Sequence, residues 1–187
     1  PFADRLIFII APAFAMFVVV AAFAVIPMAP GVGVVDLNIG LLFFLAMTSL
    51  GVYAVMFGAY ASDNKYAMLG GLRAAAQMVS YEIPLALATI PVIMYTGSLN
   101  TQDIIIAQQG GFWNWYIVRD PFLAVAFVIY FIASIAEVNR GPFDMPESES
   151  ELIAGYHTEY TGMRFAFFFL AEYANLFLVS LIAVLLF

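Results

Sequence analysis

The stretch L-I-F-I-I-A-P-A-F-A-M-F-V-V-V-A-A-F-A-V-I, residues 6–26, contains no charged side chain. A helix of about twenty such residues crosses the hydrocarbon core of a bilayer and pairs its own backbone polar groups. Further apolar runs, separated by charged and Gly/Pro-rich breaks, occupy 39–60, 72–95, 122–136 and 165–187. The sequence therefore predicts an all-α integral membrane protein with about five transmembrane helices, the fourth extending through Glu137 and Val138.

The composition supports the membrane assignment and excludes several kinds of site. The 187 residues are 65% hydrophobic and only 10% charged, with a mean hydropathy of +0.99, far above the values of a soluble domain. The absence of cysteine excludes disulfides, thiolate zinc sites and iron–sulfur ligation, and a single histidine leaves little for any other metal site. The net charge of -7 argues against a nucleic-acid partner.

The ends of the sequence suggest that more chain belongs to the protein. Residues 1–5 lead straight into an apolar run that is longer than the core of a signal peptide, and no cleavage site follows it. The last residues, L-L-F, lie within a hydrophobic run. We expect 1–187 to be a single transmembrane helical domain that is incomplete at both ends.

The basic residues predict the orientation. Five of the six fall on one side of the predicted spans, and only Arg119 falls on the other. By the positive-inside rule, the first side faces the cytoplasm or its organellar equivalent, and the long loop at about 139–163 lies there. On the opposite side, Trp113, Trp115 and Tyr116 are typical of an interfacial aromatic belt or a short interfacial helix. The five basic residues are Arg5, Lys65, Arg73, Arg140 and Arg164.

Three carboxylates fall within the predicted spans, where acidic side chains are rare and usually functional. Glu82 lies nine residues beyond Arg73, which places it roughly 14 Å along a helix. Tyr130, Ser134 and Glu137 form a polar stripe by their spacing. The third carboxylate, Glu172, has Asn175 as its expected polar neighbour. Either these acids carry protons, or Glu82 makes a structural hydrogen bond and Glu137 forms a local ion pair with Arg140.

The loop after the fourth span concentrates acidic residues at the membrane face. Pro142 and Pro146 prevent a continuous helix, and three carboxylates then alternate with serines. A solvated acidic loop is one interpretation, but the apolar and aromatic residues on both sides favour packing against another subunit. His157 lies near Glu159, but no H-E-x-x-H pattern supports zinc. The alternating carboxylates are Glu147, Glu149 and Glu151.

Two stretches of the sequence resemble the signatures of a known protein family. The first is E-V-N-R-G-P-F-D-M-P-E-S-E-S-E-L-I-A-G-Y-H-T-E-Y at 137–160, continuing through T-G-M-R-F-A-F-F-F-L-A-E-Y, and the second is S-D-N-K-Y-A-M-L-G-G-L-R-A-A-A-Q-M-V-S-Y-E at 62–82. Together they closely resemble the signatures of the ND1 family of membrane subunits of respiratory complex I, the proton-pumping NADH:quinone oxidoreductase. The resemblance extends over nearly the whole chain, which matches the second to the sixth of the family's eight spans.

The resemblance implies an enzyme subunit that is not catalytic alone, in a bacterial plasma membrane or mitochondrial inner membrane. Its substrate is quinone, and its partners are the hydrophilic-arm subunits at the quinone site and the neighbouring membrane-arm subunits. Electrons arrive through iron–sulfur clusters of other subunits, so no metal or flavin belongs to this chain. The residues expected to line the quinone chamber and its funnel are Arg140, Asp144, Glu147, Glu149 and Glu151. Those expected to transfer protons are Glu82, Glu137, Glu159 and Glu172.

Two other functions are compatible with the residues. The equivalent subunit of a membrane-bound hydrogenase or of a ferredoxin-driven relative would differ in its electron donor, which other subunits bind. A cation channel or secondary transporter could use Glu82 and Glu172 as cation sites without any redox role. Such transporters usually contain structural repeats with broken helices, and the sequence shows no repeat.

Overall fold

The protein is a bundle of α-helices. The computed structural model describes residues 4–29, 31–144 and 155–187, and within these ranges the only β-type pairing is one bridge between Ala29 and Val32. Two short 3-10 turns occupy Phe112–Asn114 and Gly155–His157. The α-helices in these ranges are α1 (Arg5–Phe23), α2 (Gly40–Ala61), α3 (Lys65–Thr96), α4 (Thr101–Ala107), α5 (Tyr116–Arg119), α6 (Pro121–Glu137) and α7 (Met163–Leu186).

Five of these helices correspond to the predicted spans. Four of them, α1, α2, α3 and α7, are long and apolar enough to cross a membrane, whereas α6 is a shorter apolar helix of 17 residues. A helix of that length is at the lower limit of what spans a bilayer core. The prediction of an all-α integral membrane protein is confirmed, and α6 ends at Glu137 with Val138 as its C-cap residue.

Short polar side chains determine where four helices begin. In each case an Asp or Asn accepts a hydrogen bond from the backbone N–H two residues later, and this satisfies one of the unpaired donors of the first turn. The N–H groups belong to Leu6, Tyr66, Gln102 and Phe122, at distances of 2.8–3.1 Å. The capping residues are Asp4, Asn64, Asn100 and Asp120.

The start of α3 differs from the prediction. We expected the third span to occupy 72–95, but α3 begins at Lys65. Its 32 residues extend roughly 48 Å, well beyond a bilayer core of about 30 Å. Hydropathy identifies only the apolar part of such a helix. The N-cap at Asn64 allows α3 to begin two turns earlier.

Small residues let α3 pack closely against its neighbours. A Cβ atom placed on Gly71 would lie 2.2 Å from Cβ of Ala59 in α2, and one placed on Gly70 would lie 2.8 Å from Cα of Gly155. Neither position can hold a larger side chain unless the backbone moves. Close approach through Gly and Ala is typical of helices packed within membranes.

The two ends of the bundle have different compositions. The acidic end contains residues 61–70, 137–144 and 155–164, and the tryptophan end contains residues 24–29, 31–41, 96–121 and 185–187. At the tryptophan end, the Trp113 and Trp115 side chains are exposed, as expected. Tyr116 differs from the prediction of an interfacial position: it is 1% exposed, and its hydroxyl lies 2.8 Å from the Thr96 hydroxyl. This hydrogen bond allows Tyr116 to be buried.

Candidate functional site

The first predicted acid, Glu82, lies on α3 and faces α2. Its carboxylate is within hydrogen-bonding reach of the Ser49 hydroxyl, which also lies 2.9 Å from the carbonyl oxygen of Leu45. Glu82 is partly buried. The structural hydrogen bond considered from the sequence is therefore present, and its partner, Ser49, was not predicted.

The second acid, Glu137, is the most deeply buried carboxylate among the described residues. Its side chain is 3% exposed, and its Oε2 atom has no hydrogen-bond partner in the described part of the chain. The charge of Glu82 acts on Glu137, so the two carboxylates on α3 and α6 interact electrostatically. Taking an unpaired carboxylate out of water is costly. The buried Glu137, under the electrostatic influence of the partly buried Glu82, is therefore the chemically most unusual feature of the bundle.

The predicted polar stripe on α6 is buried along its whole length. Tyr130 is fully buried and donates a hydrogen bond to the carbonyl oxygen of Val179 in α7, at 3.2 Å. Ser134 is 7% exposed and donates to the carbonyl oxygen of Phe131. The stripe thus begins at the contact of Tyr130 with α7 and ends at Glu137.

The third acid, Glu172, is paired with a residue from α6's end. Its Oε1 atom lies 3.7 Å from Nε of Arg140, and the same guanidinium lies 4.5 Å from the ring centre of Tyr173. The local Glu137–Arg140 pair considered from the sequence is replaced by this longer-range pair. The chain turns at the end of α6, so Arg140 reaches α7 instead of the preceding turn of its own helix.

A small cavity lies between the neighbours of Glu82 and Glu172. Its volume is about 30 Å³, and Thr48, Met78 and Asn175 are among its lining residues. A water molecule needs roughly 10–15 Å³ of such space and polar partners. The cavity is large enough for one water molecule, but its wall is almost entirely apolar and so offers few such partners.

A much larger cavity of about 710 Å³ lies between α6 and α7. It extends from Arg140 at the acidic end to Trp115 at the tryptophan end, and most of its wall is apolar. Its volume is typical of small-molecule sites. Because it extends along most of α6, it is a groove between helices and not a chamber confined to the acidic end.

The predicted chamber residues are only partly described. Arg140 and Asp144 lie at the acidic end, and the side chain of Asp144 is exposed. Glu147, Glu149 and Glu151 lie outside the described residues. Their grouping with Arg140 and Asp144 therefore stays a prediction.

The end of the same loop is held against α3. The Glu159 side chain is exposed, and its Oε1 atom accepts a 2.8 Å hydrogen bond from the Asn64 amide at the start of α3. His157 is buried among aromatic rings. Its ring centre lies 3.8 Å from that of Tyr156 and 5.5 Å from that of Phe168. Within the described ranges, no group of three or more His, Cys, Asp or Glu side chains is placed to hold a metal ion.

Sequence reasoning missed two polar partners that position these acids. Ser49 lies next to Thr48 in an otherwise apolar span, and a polar pair within a span was the available signal. Asn64 follows Asp63 immediately before a helix-forming stretch, which is the usual signature of an N-cap. Both residues act through contacts between segments that are distant in sequence.

Comparison with known protein families gives a match over the whole chain. A family model described as NADH dehydrogenase matches residues 1–187, which is the whole sequence. The chain therefore belongs to the NADH dehydrogenase family, as an integral membrane subunit of a complex I-type oxidoreductase that associates with the other subunits of that complex.

Proposed function

We propose that this chain is the ND1-type member of the family, which forms part of a quinone chamber and couples quinone reduction to proton transfer. The observation that carries the proposal is the buried Glu137, whose Oε2 atom has no hydrogen-bond partner in the described part of the chain and which interacts electrostatically with Glu82. The sequence motifs at 62–82 and 137–160 support the same assignment.

The chemistry of the substrate gives these acids a role. Reduction of a quinone to a quinol takes two electrons and two protons, and negative charge develops on the quinone until the protons arrive. Carboxylates that interact strongly share their protons, so a charge change near one alters the protonation of the other. We propose that Glu82, Glu137 and Glu172 form this proton-transfer group, with Glu159 at the entrance near the acidic end.

The acidic end is the proposed side of quinone reduction. Arg140 connects the acidic end to the proposed proton-transfer group, because it follows Glu137 closely in sequence and forms a salt bridge with Glu172. The proposed chamber is lined by Arg140, Asp144, Glu147, Glu149 and Glu151, and the hydrophilic-arm subunits complete it. The five basic residues on that side favour the cytoplasm, or the mitochondrial matrix, as its location.

The direct test is Glu137→Gln in the assembled complex. We expect quinone reductase activity to fall at least about tenfold, because a proton-transfer group is lost, whereas electron input to an artificial acceptor is unchanged. Asp63→Asn is the matched control: it also removes one carboxylate at the acidic end, and Asn tolerates the positive φ of 48° at this exposed position.

Two results would contradict the proposal. One is full quinone reductase activity in the Glu137→Gln complex, since it would show that the buried carboxylate is not needed. The other is cation movement by the purified full-length protein in liposomes without partner subunits or quinone, since this would favour the channel alternative.

A further inference from the structure

The Gln77 side chain, on the part of α3 nearest the acidic end, contacts three oxygen atoms from the segment that follows α6. Its Nε2 atom lies 2.6 Å from the carbonyl oxygen of Ala136, 3.1 Å from Oδ1 of Asn139 and 2.8 Å from the carbonyl oxygen of Phe143. An amide group carries two N–H donors, so these donors are shared among three acceptors. The single Gln77 amide therefore bonds to both ends of the segment 136–143.

The backbone at the end of α6 explains why an asparagine occupies position 139. The N–H of Arg140 donates to the carbonyl oxygen of Ile135, and the N–H of Asn139 donates to that of Ala136. Asn139 has φ of 53°. These are the two hydrogen bonds and the left-handed residue of a Schellman motif, where Gly is usual and Asn is the common alternative. Unlike Gly, Asn139 also provides a side-chain acceptor for Gln77.

A ring contact adds to the same connection. Tyr81, one turn after Gln77 on α3, has its ring centre 5.3 Å from that of Phe143 in an edge-to-face arrangement. Phe143 immediately precedes Asp144, and Tyr81 immediately precedes Glu82. One face of α3 therefore holds the segment that connects Glu137 to Asp144.

We propose that Gln77 is a positioning residue, whose amide fixes the end of α6 and the following segment against α3 so that Glu137 is held beside Glu82 and Asp144 is held at the chamber side. This role rests on the function proposed above. The three hydrogen bonds of Gln77 within the described residues do not include either carboxylate. Gln77 acts through the backbone on which Glu137 and Asp144 are carried.

The test compares Gln77→Met with Gln77→Lys in the assembled complex. Gln, Met and Lys are unbranched and have similar helix propensities, but Met has no N–H donor and Lys has three. Ser80→Ala is the control, because among the described residues the exposed Ser80 hydroxyl bonds only to the carbonyl oxygen of Ala76 in its own helix. The readouts are hydrogen–deuterium exchange of the amides at 138–143 and steady-state quinone reduction.

In the Met variant we expect exchange at 138–143 to be roughly tenfold faster, because the hydrogen bonds that hold this segment are lost. The kcat for quinone reduction should fall roughly five- to tenfold, with KM for quinone within about twofold of the parent value. Electron input to an artificial acceptor should be unchanged. The Lys variant should restore slow exchange, and Ser80→Ala should match the parent in every measurement.

The outcomes separate this proposal from the proposed function. Parent-like exchange in Gln77→Met, or equal exchange in the Met and Lys variants, would overturn the positioning role whatever the activities are. Fast exchange with unchanged kcat would overturn it as well, while a low activity of Glu137→Gln would leave the proposed function standing. Full activity of Glu137→Gln would remove the proposed function, and the exchange arm does not depend on that function.

Discussion

The substitution Gly71→Ala tests the closest contact between two spans. A Cβ atom at position 71 would lie 2.2 Å from Cβ of Ala59, whereas carbon atoms in contact prefer about 3.5–4.0 Å. Helices α2 and α3 would have to separate by roughly 1.5 Å. Overpacking of this severity costs about 3 kcal/mol, and the better helix propensity of Ala offsets about 1 kcal/mol of it. We expect a net loss of about 2 kcal/mol.

A second substitution makes the reasoning specific. Ala59→Gly removes the opposing Cβ atom, and the next nearest atoms to the new side chain, Cα of Ala59 and the carbonyl oxygen of Val55, are both 3.7 Å away. Alone, Ala59→Gly should cost about 1 kcal/mol through helix propensity. In the double variant the two propensity changes cancel and the clash is absent, so its stability should equal that of the parent. The coupling between the two sites is then about 3 kcal/mol.

The assay is thermal unfolding of the detergent-solubilised full-length chain. A loss of about 2 kcal/mol should lower Tm by roughly 4–8 °C for a chain of this size. Gly51→Ala serves as the control, because no atom of the described residues lies within 4 Å of a Cβ atom at that position, and it should not lower Tm. The reasoning is refuted if the double variant is as unstable as the sum of the two single variants.

Two further predictions concern the acidic end. Asn64→Ala should lower the stability of the full-length chain by about 1 kcal/mol through loss of the α3 N-cap, whereas Asn64→Ser keeps a capping oxygen and loses the hydrogen bond to Glu159 without adding a charge; equal Tm values for the two would contradict this. Burial raises the pKa of the Tyr160 phenol to about 12, although the nearby Arg164 guanidinium lowers it. The neutral phenol therefore stabilises the fold below its ordinary pKa of 10, and this contribution is lost as pH rises through 12. In an alkaline titration followed by tyrosinate absorbance, Tyr160→Phe should remove a component near pH 12; an unchanged titration would count against this.

The sequence was sufficient to predict the helices because each apolar run has the length that a bilayer requires. The predicted start of α3 was wrong because hydropathy identifies only the part of a helix that contacts lipid. A helix can continue into water as far as its capping residue. The burial of Tyr116 was not predicted for a related reason. An aromatic residue near the end of a span can lie at the interface or in the core, and the Thr96 hydroxyl that makes burial possible is twenty residues away.

The sequence predicted which acidic residues belong to the site, but it did not predict which side chains they interact with. Glu82, Glu137 and Glu172 were identified because acids within apolar spans are rare. Their partners could not be identified, since Arg140 is equally available by spacing to Glu137 on its own helix and by tertiary packing to Glu172. Helical periodicity describes neighbours within one helix only. The choice between these partners depends on the turn after α6, which requires the left-handed backbone of Asn139.

The length of α3 has a mechanical consequence. Pro84 interrupts the backbone hydrogen bonding of this helix, and bends in helices concentrate at such positions. Lys65 lies 19 residues before Pro84, at a distance of roughly 28 Å. A change of about 10° in the bend at Pro84 would therefore swing the first turn of α3 through roughly 5 Å. A small angular change near the partly buried Glu82 would therefore become a larger displacement along the first turns of α3. These turns carry Gln77, Gly70 and Asn64, which contact Phe143, Gly155 and Glu159.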